Sequence, residues 1–157
     1  MNIDGEERFG RYLEEFQVGD VYKHWPGKTI MESDNNLFCL LTLNRNPIHS
    51  DIESVKTHPH GKILVVGLLV VGLAVGMSVS DTSGRAIANL EYEKITHHAP
   101  VFIGDTIYAE SEVLNVREST TKPDRGVVYI TTRAFNQSGE KVLTLYRRFL
   151  VPKKPVA

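Results

Sequence analysis

The longest unbroken apolar stretch of the chain covers residues 63–79, carries no charge, and is punctuated by Gly67, Gly72 and Gly76. It does not alternate, so it reads as a helix apolar around most of its circumference, which must therefore be covered widely. A turn-rich break, His58-Pro59-His60-Gly61, precedes it, and Ser80-Asp81-Thr82-Ser83-Gly84 marks its end. Beyond that point the pattern changes to strands. Residues 86–96, 106–118, 127–135 and 141–151 are rich in β-branched and aromatic residues and alternate in part. Lys122-Pro123-Asp124-Arg125-Gly126 reads as a turn and Asn136-Gln137-Ser138-Gly139 as a hairpin connection.

Upstream, residues 9–20 read as a lead-in that turns at Gly19-Asp20. Residues 21–30 form a plausible strand broken by Pro26-Gly27, as suits an edge or a bulge. Ser33 or Asp34 then supplies N-cap chemistry for a helix through Leu37-Phe38-Cys39-Leu40-Leu41. A short helix or loop leads through Lys56, and Lys153-Lys154-Pro155 reads as a solvated tail. One long helix among antiparallel strands, without strand–helix–strand alternation, argues for an α+β domain. A curved antiparallel sheet wrapped around that helix would cover it. There is no internal repeat, low-complexity stretch or second domain, and the domain is expected over residues 9–152.

The apolar run is barely long enough to span a bilayer, and spaced glycines occur in membrane helices. The charge-bearing strands that follow favour a buried helix of a soluble protein instead. An apolar fraction of 41% and a charged fraction of 24% are those of an ordinary globular chain. A net charge of −1 gives no reason to expect nucleic acid or an anionic membrane as partner. Cys39 is the only cysteine, so no internal disulfide can form; its apolar neighbours favour a core position over a nucleophile. The first residues are charged and polar, unlike a secretory signal, which points to the cytoplasm.

The candidate chemistry lies in Asn44-Arg45-Asn46-Pro47-Ile48-His49-Ser50-Asp51. Pro47 fixes its own φ and biases Asn46 to an extended conformation. The imidazole of His49 therefore leaves the chain at a defined angle, and histidine is the side chain whose ordinary pKa lies nearest neutrality. His58, His60, His97 and His98 lack a convincing metal-ligand pattern, so no metal is expected. The helix glycines do not lie on a strand-to-helix loop and form no dinucleotide fingerprint.

The run resembles the Asp-x-Asn-Pro-(aliphatic)-His-x-Asp/Glu motif of the MaoC-like, (R)-specific enoyl-CoA hydratases, with Asn44 at the aspartate position. Phe16-Gln17-Val18-Gly19-Asp20 and Pro100-Val101-Phe102-Ile103-Gly104-Asp105-Thr106 resemble two further segments of these proteins. Leu64-Val65-Val66-Gly67-Leu68 resembles their entry to the central helix, with Val66 replacing a histidine. Segments around 119–128, 136–140 and 149–153 are similar to the mesaconyl-CoA hydratase (β-methylmalyl-CoA dehydratase) branch, some of whose members pair two domains in one chain. The resemblance implies a single hotdog domain, and hence a homodimer or higher homo-oligomer.

It also implies hydration of a short, branched or carboxylated enoyl-CoA, with no cofactor beyond the CoA of the substrate. Such a reaction needs a polarised water, a proton at Cα and a stabilised thioester oxygen. By resemblance His49 is the acid/base, Gly67 binds the thioester oxygen through its N–H, and Asn46, Pro47, Asp51 and Val66 line the substrate side. Asn44 can hold a water but cannot take up a proton. Either His49 then works as acid and base with Asn44 positioning the water, or a carboxylate such as Asp51, Asp34, Glu91 or Glu93 supplies the second group. The CoA phosphates call for a basic patch, with Lys94, Lys122, Arg125, Arg133, Arg147 and Arg148 as candidates. The rival functions are an acyl-CoA thioesterase and a non-catalytic acyl-CoA-binding subunit.

Overall fold

The computed structural model describes residues 4–156. In chain order its elements are β1 (Val21–Lys23), β2 (Lys28–Thr29), α1 (Glu32–Thr42), α2 (Ile52–Val55), α3 (Gly67–Ser78), β3 (Ala88–His97), β4 (Thr106–Glu118), β5 (Arg125–Phe135) and β6 (Lys141–Pro152). The strands form one antiparallel sheet in the order β1-β4-β5-β6-β3, with β2 also on β4. The long strands lie where the β-branched runs predicted them. The interrupted segment 21–30 becomes two short strands on the same edge of β4.

Strand alternation gives the sheet an inner face, against which α3 packs. Ile107, Ala134, Leu143 and Leu145 meet Val70, Val71 and Ala74 of the helix there. A second cluster, farther along the same strands, joins Val113, Val128, Ile130, Phe149 and Val151 to Leu13 and Phe16 of the lead-in. A buried polar belt lies between the two clusters. His24 bonds Asp81 at 2.7 Å and Ser111 at 2.8 Å, and Ser111 bonds Thr132 at 2.8 Å. Arg147 Nη2 donates to Ser78 Oγ at 2.8 Å and Ser83 Oγ at 3.0 Å, at the C-terminal end of α3, where a cation is favoured.

Four expectations need correction. Helix α3 is 12 residues long and starts at Gly67, not at Ile63. The β-branched Ile63, Val65 and Val66 favour extended backbone, and Leu64 bridges to Phe102 while Val65 N–H donates to the Val101 carbonyl. Nor is α3 covered all round, because Leu68 is 62% exposed and Gly72 and Gly76 face no neighbour among the described residues. Helix α1 starts two or three residues earlier than the Ser33 or Asp34 cap implied. Met31 is the cap, and Asp34 reaches back from the first turn to accept Met31 N–H at 2.8 Å and Lys28 Nζ at 2.6 Å. Finally, the basic tail is tied down: Lys153 pairs with Glu118 and Lys154 with Glu15. Among the described residues no helix is long and apolar enough to cross a membrane.

Candidate active site

Local turn chemistry builds the His49 loop. Leu43, in the left-handed region at φ 57°, ends α1. Asn44 Oδ1 accepts Asn46 N–H at 3.2 Å, and Asn46 Oδ1 accepts Ile48 N–H at 3.2 Å. Pro47 opens the 3-10 turn Pro47–His49, where its missing N–H costs nothing. Asp51 Oδ1 then accepts the N–H groups of Glu53 and Ser54, both at 3.0 Å, and starts α2.

His49 Nδ1 donates to the Leu64 carbonyl at 2.6 Å. A carbonyl can only accept, so the neutral ring carries its proton on Nδ1 and leaves the Nε2 lone pair free to act as a base. The loop is clamped to the start of α3 by Asn35, which is only 1% exposed. Its Nδ2 donates to the His49 carbonyl at 2.9 Å and its Oδ1 accepts Val66 N–H at 3.0 Å. Asn35 escaped the sequence reading. The available signal was an amide four residues before Cys39, on the face of α1 that both bury.

His49 and Gly67 line one cavity of about 400 Å³, together with Val70, His97, His98 and Pro100. Gly67 is the first residue of α3, so its N–H lies among the unpaired donors at the positive end of the helix dipole. The cavity therefore combines a base, a backbone donor and an apolar wall. A second cavity of about 320 Å³ lies beside His49 and is lined by Glu32, Asn36 and Ser50.

The other anticipated site residues are placed differently. Asn44, Asn46, Pro47, Asp51 and Val66 line neither cavity. The first four shape the loop, while Val66 is buried at 4% exposure and caps α3. Among the described residues no carboxylate lines the larger cavity. The bond from Lys28 holds Asp34 below the usual aspartate range. Glu91 and Glu93 pair with Arg148 at 2.8 and 3.0 Å, and the Tyr129 hydroxyl, which donates to Glu93, holds that carboxyl low.

The anticipated basic patch is largely consumed by partners of its own. Arg125 pairs with Asp124, Arg133 with Glu110 and Glu112, and Arg147 is buried, which lowers its pKa to about 10. Cys39 is buried, and burial raises its thiol pKa, which suits a core group. Among the described residues no three His, Cys, Asp or Glu side chains are grouped to hold a metal ion.

A helix held on the inner face of an antiparallel sheet, with the His49 loop clamped beside its first turn, is the architecture of a hotdog domain. The chain matches the MaoC like domain over residues 15–134 and belongs to that family. It is 33% identical to a mesaconyl-CoA hydratase of Cereibacter sphaeroides over 94% of this chain, but it spans only 43% of that protein's length. It is 31% identical to an (R)-specific enoyl-CoA hydratase of Aeromonas caviae over 68% of this chain and 75% of that protein. A Mycobacterium tuberculosis protein with a double hotdog fold superposes with a TM-score of 0.81 at 27% identity, covering 94% of this chain and 46% of that one.

Proposed function

We propose that this protein is a cytoplasmic hydro-lyase that reversibly adds water to a short enoyl-CoA, with mesaconyl-CoA the first candidate substrate and crotonyl-CoA the next. The observation that carries this reading is the single cavity lined by both His49 and Gly67, the first residue of α3. In the forward direction His49 Nε2 takes a proton from water as the water oxygen bonds Cβ. The π pair moves through Cα onto the thioester oxygen, where the Gly67 N–H stabilises it. The enolate then collapses as Cα takes the proton from His49, so the sum is one H₂O added and the base restored. Asn44, which lines neither cavity, acts in this reading through the turn that sets the His49 loop.

Hydration followed spectrophotometrically with mesaconyl-CoA and crotonyl-CoA tests the reading. Turnover is expected, with a loss of about 10²- to 10⁴-fold in His49→Ala. Wild-type protein inactive on both substrates would sink it. The absence of a carboxylate from the larger cavity favours a second reading, an acyl-CoA-binding partner without turnover. Thermal stabilisation by acyl-CoA with no hydration, and activity gained in Asn44→Asp, would support that alternative; release of free CoA would instead indicate a thioesterase. In either case the uncovered face of α3 calls for a second copy of the chain.

A further inference from the structure

Strand β3 contains a break in its alternation that bears on the site. Glu93 stands opposite Tyr146 and bonds Tyr129 and Arg148 on the outer face of the sheet. In a regular strand, side chains four positions apart point to the same face, so His97 would also point outward. The register slips between Glu93 and Thr96, where Lys94 takes a left-handed conformation at φ 43°. For a lysine that conformation is unfavourable by about 1–2 kcal/mol. After the slip His97 stands opposite Leu143, a core residue of the inner face. The bulge thus turns His97 inward, towards the start of α3.

There the imidazole lies against Gly67 by a defined edge. A Cβ built on Gly67 would stand 2.9 Å from both His97 Cε1 and His97 Nε2, and 3.6 Å from Cδ2. Nitrogen Nε2 is therefore on the edge that faces the helix start, in the cavity that also holds His49. Its neighbour His98 is anchored elsewhere, on Thr144 at 2.9 Å, whereas the His97 ring has no hydrogen-bond partner among the described residues.

We infer that His97 is the second donor of the oxyanion site, its Nε2–H joining the Gly67 N–H on the thioester oxygen of the enoyl-CoA. This inference rests on the hydratase reading above. It gives a physical reason for the strained bulge, and it makes glycine at 67 a requirement of the imidazole as well as of the substrate. A second donor also lowers the demand on the base: the better the enolate is stabilised, the less is lost by having no carboxylate at position 44.

The test uses the full chain and two readouts. One is crotonyl-CoA hydration. The other is the infrared carbonyl stretch of bound butyryl-CoA, saturated and hence unreactive, labelled with ¹³C at the thioester carbon. His97→Phe keeps a ring against Gly67 and removes the donor, whereas His97→Gln keeps an N–H. The carbonyl of the wild-type complex is expected at lower frequency than that of free butyryl-CoA. His97→Phe should reverse part of that shift and lower kcat about 10²-fold, with KM changed far less, and His97→Gln should recover part of both. If His97→Phe leaves carbonyl and kcat as in wild type, or lowers kcat without moving the carbonyl, the oxyanion assignment falls and the hydratase reading stands. If wild type neither hydrates crotonyl- and mesaconyl-CoA nor binds butyryl-CoA, both fall together.

Discussion

At the scale of single residues, the site depends on a few polar contacts that fix a histidine and a helix start relative to each other. Asn35 has the most consequential of them, because it satisfies the His49 carbonyl and the Val66 N–H together. In Asn35→Leu both backbone groups lose their partner, and unfolding should require about 2–5 kcal/mol less. Asn35→Asp keeps the acceptor for Val66 but sets a buried, unpaired carboxylate oxygen against the His49 carbonyl, so it should also be destabilised in a denaturant titration and lower kcat. Equal stability for wild type and Asn35→Leu would remove the clamp from the account. Gly67→Ala separates the two demands on its position. Alanine is a better helix former by about 1 kcal/mol, yet its Cβ would push the His97 ring aside. Near-wild-type thermal stability with kcat lowered about 100-fold is expected. The His49 loop was legible in the sequence because its geometry is made locally, by Pro47 and two asparagines. Asn35 was not, since its partners lie 14 and 31 residues away. His97 was not either, because a bulge is a property of strand register.

At the scale of elements, the first turn of α1 is held by a carboxylate whose protonation can be followed. Lys28 and the Met31 N–H both favour the charged form of Asp34 and lower its pKa in the fold. Its contribution is fully present above the usual aspartate value of about 3.9 and is lost as pH falls through the lower folded value. Asp34→Ala should therefore be less stable by about 1 kcal/mol near neutral pH, with the difference shrinking below about pH 4. A difference that stays constant down to acid pH in thermal melts would argue against this role. The same element shows why helix boundaries were misread. A cap and an acidic residue in the first turn use the same residue types, so Ser33 and Asp34 could not be ordered from composition alone. In α3 the apolar run concealed a short extended segment before the helix, because a buried strand and a buried helix are equally apolar. The strands were legible from their β-branched runs. So was the Gly19-Asp20 turn, whose purpose the structure explains: Gly19 takes φ 95° and Asp20 accepts the Gln17 N–H, and the structure repeats the device at Gly104, φ 92°, where Asp105 accepts the Phe102 N–H.

At the scale of the whole molecule, a single chain leaves apolar surface uncovered in several places, among them Leu37, Leu40 and Leu41 of α1 and Leu43 at its end. Two others lie on the elements that carry the site. One is the outer stripe of α3, Leu68 with Gly72 and Gly76, where the glycines leave room for close approach. The other is the free edge of β3, which among the described residues pairs only with β6 and exposes Leu90 at 51% and Tyr92 at 50%. Unpaired edges and apolar stripes of this kind invite a second copy. Sedimentation equilibrium of the wild type at micromolar concentration should accordingly give the mass of two chains. Leu90→Lys places a charge on the sheet edge, and Gly72→Arg places a bulky one on the helix stripe. If the edges join, Leu90→Lys should yield single chains; if the helices meet, Gly72→Arg should do so. Because His97 ends β3 and Gly67 begins α3, separating the copies should also lower hydration, as both groups lose the neighbour that steadies their element. A wild type that sediments as single chains at every concentration, yet hydrates crotonyl-CoA at full rate, would show that one hotdog suffices and that both uncovered surfaces serve something else.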